Sequence, residues 1–158
     1  MKPKLCRECS LLRSRRFPAR FLKGGRAVAV IGIGGNIGEV ARRFDKVAEY
    51  LNRAGRVRVV ATSPLLKNPP FGFKDQPDFL NAVMAVSTSL SPFALMRYLL
   101  WVERRFGRRR SFKNAPRTLD LDIIFYDDFC VRTRRLTLPH PHWKERDSVT
   151  IPLMLLGG

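Results

Sequence analysis

The sequence predicts an α+β domain, an antiparallel sheet with helices on one face, in the order strand, helix, strand, strand, helix, strand. Three observations lead there. Four segments carry strand-like apolar runs or alternation, and two carry apolar residues at helical spacing. The helical segments have start and stop signals at their ends. Strands and helices interleave instead of segregating, which points to a single layered domain.

Ala27 to Ile33 is a continuous apolar run that ends in glycines, the pattern of a buried central strand. Asn36 is placed to cap the next helix, with Glu39 as its capping-box partner. Val40, Phe44, Val47, Ala48 and Leu51 then recur at helical spacing, and Gly55 takes a C-cap-like position. From Arg56 to Thr62, Val57, Val59 and Ala61 alternate along a second strand. Pro64, Pro69, Pro70, Gly72 and Pro77 make residues 63–78 a long loop, and loops of that length are usually functional. Phe79 to Thr88 reads as a third strand. Ser91-Pro92 is an N-cap followed by proline at the first helical position. Leu95, Leu99, Val102 and Phe106 form the apolar stripe of that helix, and Gly107 stops it. Residues 108–117 are a second loop, dense in Arg and Lys, and Leu119 to Tyr126 is the fourth strand. The succession is the ferredoxin-like βαββαβ pattern.

The 158 residues suffice for one ordinary domain, and a hydrophobic share of 45% supports a packed core over most of them. The net charge of +17 points to anionic partners: nucleic acid, phosphorylated small molecules or an anionic surface. Nine of the basic residues fall within residues 1–26, against Glu8 alone. Residues 1–25, punctuated by Pro3, Pro18 and Gly24-Gly25, read as a basic flexible extension, partly helical around 10–16, and residues 26–158 as a single domain. Cys6, Cys9 and Cys130 are too few for a disulfide framework, and Cys6 and Cys9 read as unpaired thiols in the tail. A reducing, cytoplasmic setting fits this usage. No apolar run approaches the ~18 residues that a membrane-spanning helix needs.

The chemistry concentrates on the last strand. Asp120 and Asp122 are two apart, hence on one face and ~6.6 Å apart along the chain. Carboxylates that close repel one another and favour a cation, and hard oxygen donors suit Mg²⁺. Leu119, Leu121 and Ile123 take the other face, and Ile124 and Tyr126 follow the acidic pair, so a solvated strand face explains these carboxylates poorly. Arg104, Arg105, Arg108, Arg109, Arg110, Lys113 and Arg117 precede them, and guanidinium groups grip phosphate oxygens in pairs. Cations beside metal-binding carboxylates make sense when a polyphosphate is the third component. Two histidines, His140 and His142, follow at metal-ligand spacing. Gly32-x-Gly34 does not open a dinucleotide fingerprint, because Ile37 stands where the third glycine would fall, and no P-loop is present.

Gly34-Gly35-Asn36-Ile37-Gly38, Pro69-Pro70, Gln76-Pro77-Asp78-Phe79-Leu80-Asn81, Glu103, Gly107-Arg108, Pro116-Arg117-Thr118-Leu119-Asp120-Leu121-Asp122 and Leu138-Pro139-His140-Pro141 occur in that order. With these motifs, residues 27–155 resemble the 6-hydroxymethyl-7,8-dihydropterin pyrophosphokinases of folate biosynthesis. The resemblance implies attack by the pterin hydroxymethyl oxygen on the β-phosphorus of ATP, with AMP leaving. It implies two Mg²⁺ ions on Asp120 and Asp122, with ATP as co-substrate. Arg108, Arg110, Arg117, His140 and Arg146 would contact phosphates, and Ile123 and Thr137 would lie near the adenine. Asn81 would hydrogen-bond the pterin, with Pro69, Phe71 and Phe79 beside it. Partners would be these small molecules, with no specific nucleic acid and no membrane, and the chain would be a monomer or weak dimer. Departures from the family pattern gather at the pterin side. Asn114-Ala115 stands where many relatives have Trp-Gly, and Ser148 where an aromatic is usual.

Two other functions stay open on residues alone. The basic charge admits a ferredoxin-like RNA-binding module, although an aromatic RNA-binding strand is missing. A metal-dependent hydrolase built on His140 and His142 with Asp120 and Asp122 leaves Asn81 and the arginine loop without a role.

Overall fold

The computed structural model describes residues 5, 8–20 and 27–157. Its elements are β1 (Ser10–Leu12), β2 (Ala19–Arg20), β3 (Ala27–Gly35), α1 (Val40–Ala54), β4 (Val57–Thr62), β5 (Leu65–Asn68), β6 (Phe79–Thr88), α2 (Pro92–Arg105), β7 (Asp120–Tyr126), β8 (Val131–Arg132), β9 (Thr137–Leu138), a 3₁₀ turn (Trp143–Glu145) and α3 (Asp147–Met154). The α+β class is as expected. The apolar run β3 is central, antiparallel to β6 on one side and to β7 on the other. The far side of β6 is shared by β4 and β5. The four expected strands therefore run β7–β3–β6–β4, and α1 and α2 carry the chain across an intervening strand each time.

One face of this sheet forms the main core. Ala29, Ile31 and Ile33 of β3, Met84 and Val86 of β6 and Leu121 and Ile123 of β7 meet the two helical stripes, Phe44, Val47 and Leu51 of α1 and Leu95, Leu99 and Val102 of α2. Strand alternation turns Val83 to the other face, where it is also buried. There α3, not read in the sequence, lies against β5 and β6 and buries Val149, Ile151 and Pro152. A bulge at Ile124 shifts the β3–β7 register, so that Tyr126 joins the main core instead of following the acidic pair. Its hydroxyl donates to Leu90 O at 2.6 Å.

Local signals held at α2, where Ser91 Oγ accepts from Ala94 N and Pro92 opens the helix. They did not hold at α1, which starts at Val40 with Glu39 as N-cap and no side-chain cap, because the Asn36 amide is engaged elsewhere. The long loop at 63–78 contains β5. Leu65 and Leu66 are fully buried, and Pro64 and Pro69 flank the paired segment instead of interrupting it.

The basic head corrects the expectation of a flexible extension. Among its described residues, β1 pairs with β5 and β2 with β4, so residues 10–12 are strand, not helix. Phe17 is completely buried against Phe44, with ring centroids 6.0 Å apart. Ser14 Oγ and Arg16 N both donate to Asp45 Oδ1, at 2.7 and 2.9 Å, and Arg16 Nε lies 3.1 Å from Glu49 Oε1. The cause is an open sheet edge beside acidic residues of α1: the outer sides of β4 and β5 present unpaired backbone groups that two short strands satisfy. Strands this short have no readable period. Cys9 is disulfide-bonded and not the unpaired thiol expected, Cys130 is free, and Cys6 lies outside the described residues.

Phe17→Ala should lower unfolding stability by about 3–5 kcal/mol, the usual cost of emptying a buried phenylalanine site. Urea denaturation measures this, and an unchanged midpoint would show that the head does not dock.

Candidate active site: a carboxylate pair between two cavities

Asp120 and Asp122 begin β7 and, by alternation, share the face opposite Leu121 and Ile123. Asp120 sits in a fork of arginines, with Arg108 Nη1 3.1 Å from Oδ1 and Arg117 Nη1 3.4 Å from Oδ2. Arg108 also donates to Leu119 O at 2.8 Å and is largely buried, so its guanidinium holds the loop and the carboxylate together. The Arg117 guanidinium lies 5.3 Å from the Phe79 ring centre, and its Nε donates to Ala115 O.

Asp122 opens to solvent through a concave wall but is ringed by protein on its other sides. Desolvation, helped by the negative charges of Asp120 and Glu103, pushes its carboxyl up to about 7, against the pull of Arg146 and Arg108. Glu103 is a buried carboxyl of α2 whose Oε1 accepts from Leu121 N at 2.8 Å, tying the helix to β7. Burial, more than any neighbour, raises its pKa as well. Three acidic groups thus crowd the start of β7. Burial, then the charges of Arg146 and His142, lower the His140 pKa, so its imidazole is neutral at neutral pH.

Two cavities flank the pair. The larger, about 370 Å³, is walled by Asp122, Arg110, Ile123, Thr137 and His140. The smaller, about 160 Å³, is walled by Asp120, Arg117, Phe71, Phe79, Asn81 and Arg146. The expected site residues therefore divide into two groups, with one carboxylate facing each. Arg146 departs from its expected group, lining the smaller cavity, although its charge acts on both Asp122 and His140. Pro69 lines neither cavity, and Arg108 turns inward to Asp120.

Residues to which the sequence assigned no contact with a ligand complete the site. Arg134 and Arg135, on the turn between β8 and β9, line the larger cavity, and their signal was a basic pair shortly before Thr137. Asn36 is buried, and its Nδ2 donates to Gln76 Oε1 and Pro77 O, both at 2.9 Å, while its Oδ1 accepts from Arg117 N at 2.9 Å. Gln76 Nε2 donates onward to Asn114 O at 2.9 Å, and the Phe73 and Phe112 rings meet edge to face at 5.2 Å. The proline-rich loop and the arginine loop are thereby joined over the smaller cavity. Asn114 and Ser148, the two departures noted above, both line it.

His140 and His142 are not gathered with the acidic pair into one metal-holding group among the described residues. Their rings are 6.4 Å apart, and exposed His142 pairs with Glu145. Among the described residues no three His, Cys, Asp or Glu side chains are placed to hold one metal ion between them, and no helix is long and apolar enough to cross a membrane.

Acidic groups held among arginines where two cavities meet define an enzyme of polyphosphate chemistry. The family model for 7,8-dihydro-6-hydroxymethylpterin-pyrophosphokinase matches residues 30–157, and the chain belongs to that family. It is 42% identical to the 2-amino-4-hydroxy-6-hydroxymethyldihydropteridine pyrophosphokinase of Campylobacter jejuni, over 91% of this chain and 93% of that protein. It is 41% identical to the Helicobacter pylori enzyme of the same name, over 92% of this chain and 91% of that protein. The folic acid synthesis protein fol1 of Schizosaccharomyces pombe matches at 36% identity over 82% of this chain, which covers 18% of that longer protein. With 92% coverage, the Helicobacter match must reach into the head that precedes Val30.

The folded state holds the Asp122 proton more tightly than an unfolded chain does. Its contribution to stability is therefore present at low pH and is lost as pH rises through about 7. Asp122→Asn should raise the melting temperature of the protein in EDTA at pH 8, and the gain should vanish toward pH 4. Thermal denaturation across that range checks the sign.

Proposed function

We propose that this protein transfers the β,γ-diphosphate of ATP to the hydroxymethyl group of 6-hydroxymethyl-7,8-dihydropterin. The pterin oxygen bonds to the β-phosphorus, the bond from that phosphorus to the α,β-bridging oxygen breaks, AMP leaves with the electron pair, and the hydroxyl proton is released. The observation that carries the reading is the position of the acidic pair, one carboxylate on each of two cavities. The larger cavity takes the nucleotide and the smaller the pterin, so the acceptor oxygen and the β-phosphorus meet over Asp120 and Asp122.

The chain's part is positioning and charge balance, as in other phosphoryl transfers. Arg110, His140, Arg134 and Arg135 hold the nucleotide against Ile123 and Thr137. Arg117 is fixed by Asp120, by Asn36 through its own backbone and by the Phe79 ring, so its charge is aimed before substrate arrives. Arg146 serves the joint between the two cavities. Phe71 and Phe79 face the flat ring while Asn81 reads its edge, and the Phe73–Phe112 contact lets the arginine loop shut water out.

Asp120 and Asp122 fit Mg²⁺: they are hard oxygen donors, and Asp122, raised by burial and then by the charges of Asp120 and Glu103, is a carboxyl whose ionisation a cation would favour. Asp120 and Asp122 are the side chains that would hold it. Mg²⁺, as two ions, supplies charge neutralisation of the triphosphate when bound. The docked head and the residues that follow it form one catalytic domain of a cytoplasmic enzyme, monomeric or weakly dimeric. Neither rival function gains an observation: the chain belongs to a pyrophosphokinase family, and the histidines are not gathered with the acidic pair into one centre.

Incubation with ATP, Mg²⁺ and hydroxymethyldihydropterin should yield AMP, and ADP or inorganic phosphate as product would overturn the proposal. Asp120→Ala and Asp122→Ala should each lose most turnover, by a factor of about 10² or more, while remaining folded by circular dichroism. Near-normal turnover in both would refute their role.

A further inference from the structure

The smaller cavity contains a chain of side-chain amides whose direction is fixed at one end. Asn68 closes β5 and lies diagonally across from Asn81 of β6. Its Nδ2 donates to Pro69 O at 3.1 Å, and Asn81 Nδ2 donates to Asn68 Oδ1 at 2.7 Å. A backbone carbonyl only accepts, so the nitrogen of Asn68 must face Pro69 and its oxygen must face Asn81. One hydrogen of the Asn81 nitrogen is then committed to Asn68, which fixes the orientation of the amide and leaves its Oδ1 toward Gly34 and the cavity. A Cβ at Gly34 would fall 2.6 Å from that oxygen, so the glycine is what leaves it room. Both asparagines and Gly34 line the cavity. Among the described residues no protein group donates to Asn81 Oδ1.

We propose that Asn68 is a positioning residue for ring recognition: its side-chain carbonyl engages the Asn81 amide nitrogen, so that Asn81 is held with its Oδ1 acceptor presented to the cavity. The ring edge selected there is one that bears an N–H or amino group. Without Asn68 the Asn81 amide is free to turn, and half of its orientations would set an N–H against the donor edge of the ring. A site that orients one hydrogen bond discriminates by leaving a wrong partner unpaired. This inference rests on the pterin assignment of the smaller cavity. It concerns a side chain outside the motifs that carried the family resemblance.

The test is steady-state kinetics of the full chain with ATP and hydroxymethyldihydropterin for Asn68→Ala, Asn81→Ala, the double variant and Asn68→Asp. Melting temperatures serve as the check on folding. Asn68→Ala should raise the KM for pterin roughly tenfold, about one oriented hydrogen bond, with kcat and the KM for ATP little changed. Because Asn68 acts through Asn81, the double variant should be no worse than Asn81→Ala alone. Asn68→Asp keeps an acceptor facing Asn81 and should restore most of the pterin KM. A wild-type pterin KM in Asn68→Ala beside a raised one in Asn81→Ala would overturn the role, as would multiplying effects in the double variant. A wild-type pterin KM in Asn81→Ala would remove the ring assignment of the cavity itself, and this role with it.

Discussion

The catalytic end of the molecule depends on one buried amide. Asn36 follows directly on the central strand, and both hydrogens of its side chain and its carbonyl oxygen are engaged, while its backbone N–H donates to Arg117 O at 3.0 Å. An amide so enclosed is costly to leave unpaired, so the partners are held as firmly as the strand that carries it. Those partners belong to the two loops that wall the smaller cavity. Gly35 permits the approach, since a Cβ there would stand 2.6 Å from Thr118 O. Arg43 reinforces it from α1, donating to Ile37 O and Thr118 O. Two long loops thereby behave as extensions of β3.

That rigidity allows the electrostatic arrangement beside it. Asp120, Asp122 and Glu103 crowd together in a partly desolvated wall, which by itself disfavours ionisation. Arg108 and Arg117 offset the charge at Asp120, whereas at Asp122 burial and the neighbouring carboxylates outweigh the pull of Arg146 and Arg108. Stability is given up there, and a site that waits for cationic charge is the return. Buried Glu103 contributes twice, as a hydrogen-bond acceptor that fixes Leu121 N and as a charge that sharpens this demand.

The basic head completes the sheet at its other edge. β1 and β2 lie on β5 and β4, and Phe17 enters the same core as Phe44. Strand β5 is thereby held between β1 and β6, and it carries Asn68 and leads into Pro69-Pro70. A segment that reads as a solvated tail thus supports one wall of the smaller cavity. One positive charge of the head is paired in this docking, where Arg16 Nε meets Glu49, while the Arg16 backbone N–H donates to Asp45.

The sequence by itself determined the α+β class, the central strand, both core helices, the acidic pair and most of the residues around it. These are local properties: period, caps and the two-residue spacing of Asp120 and Asp122 are written in neighbouring positions. Tertiary structure decided what depends on distant segments meeting. Asn36 reads as a helix cap by local rules, yet its amide is taken by Gln76, Pro77 and Arg117, because long-range partners bury it more completely than α1 does. Tyr126 changes face through the bulge at Ile124, which no alternation announces. The head docks because β4 and β5 leave an open edge, a property of the assembled sheet and not of residues 10–20. The division of the site into two cavities follows from where β6, β7, the β8–β9 turn and α3 come together, and spacing along one chain carries no record of that.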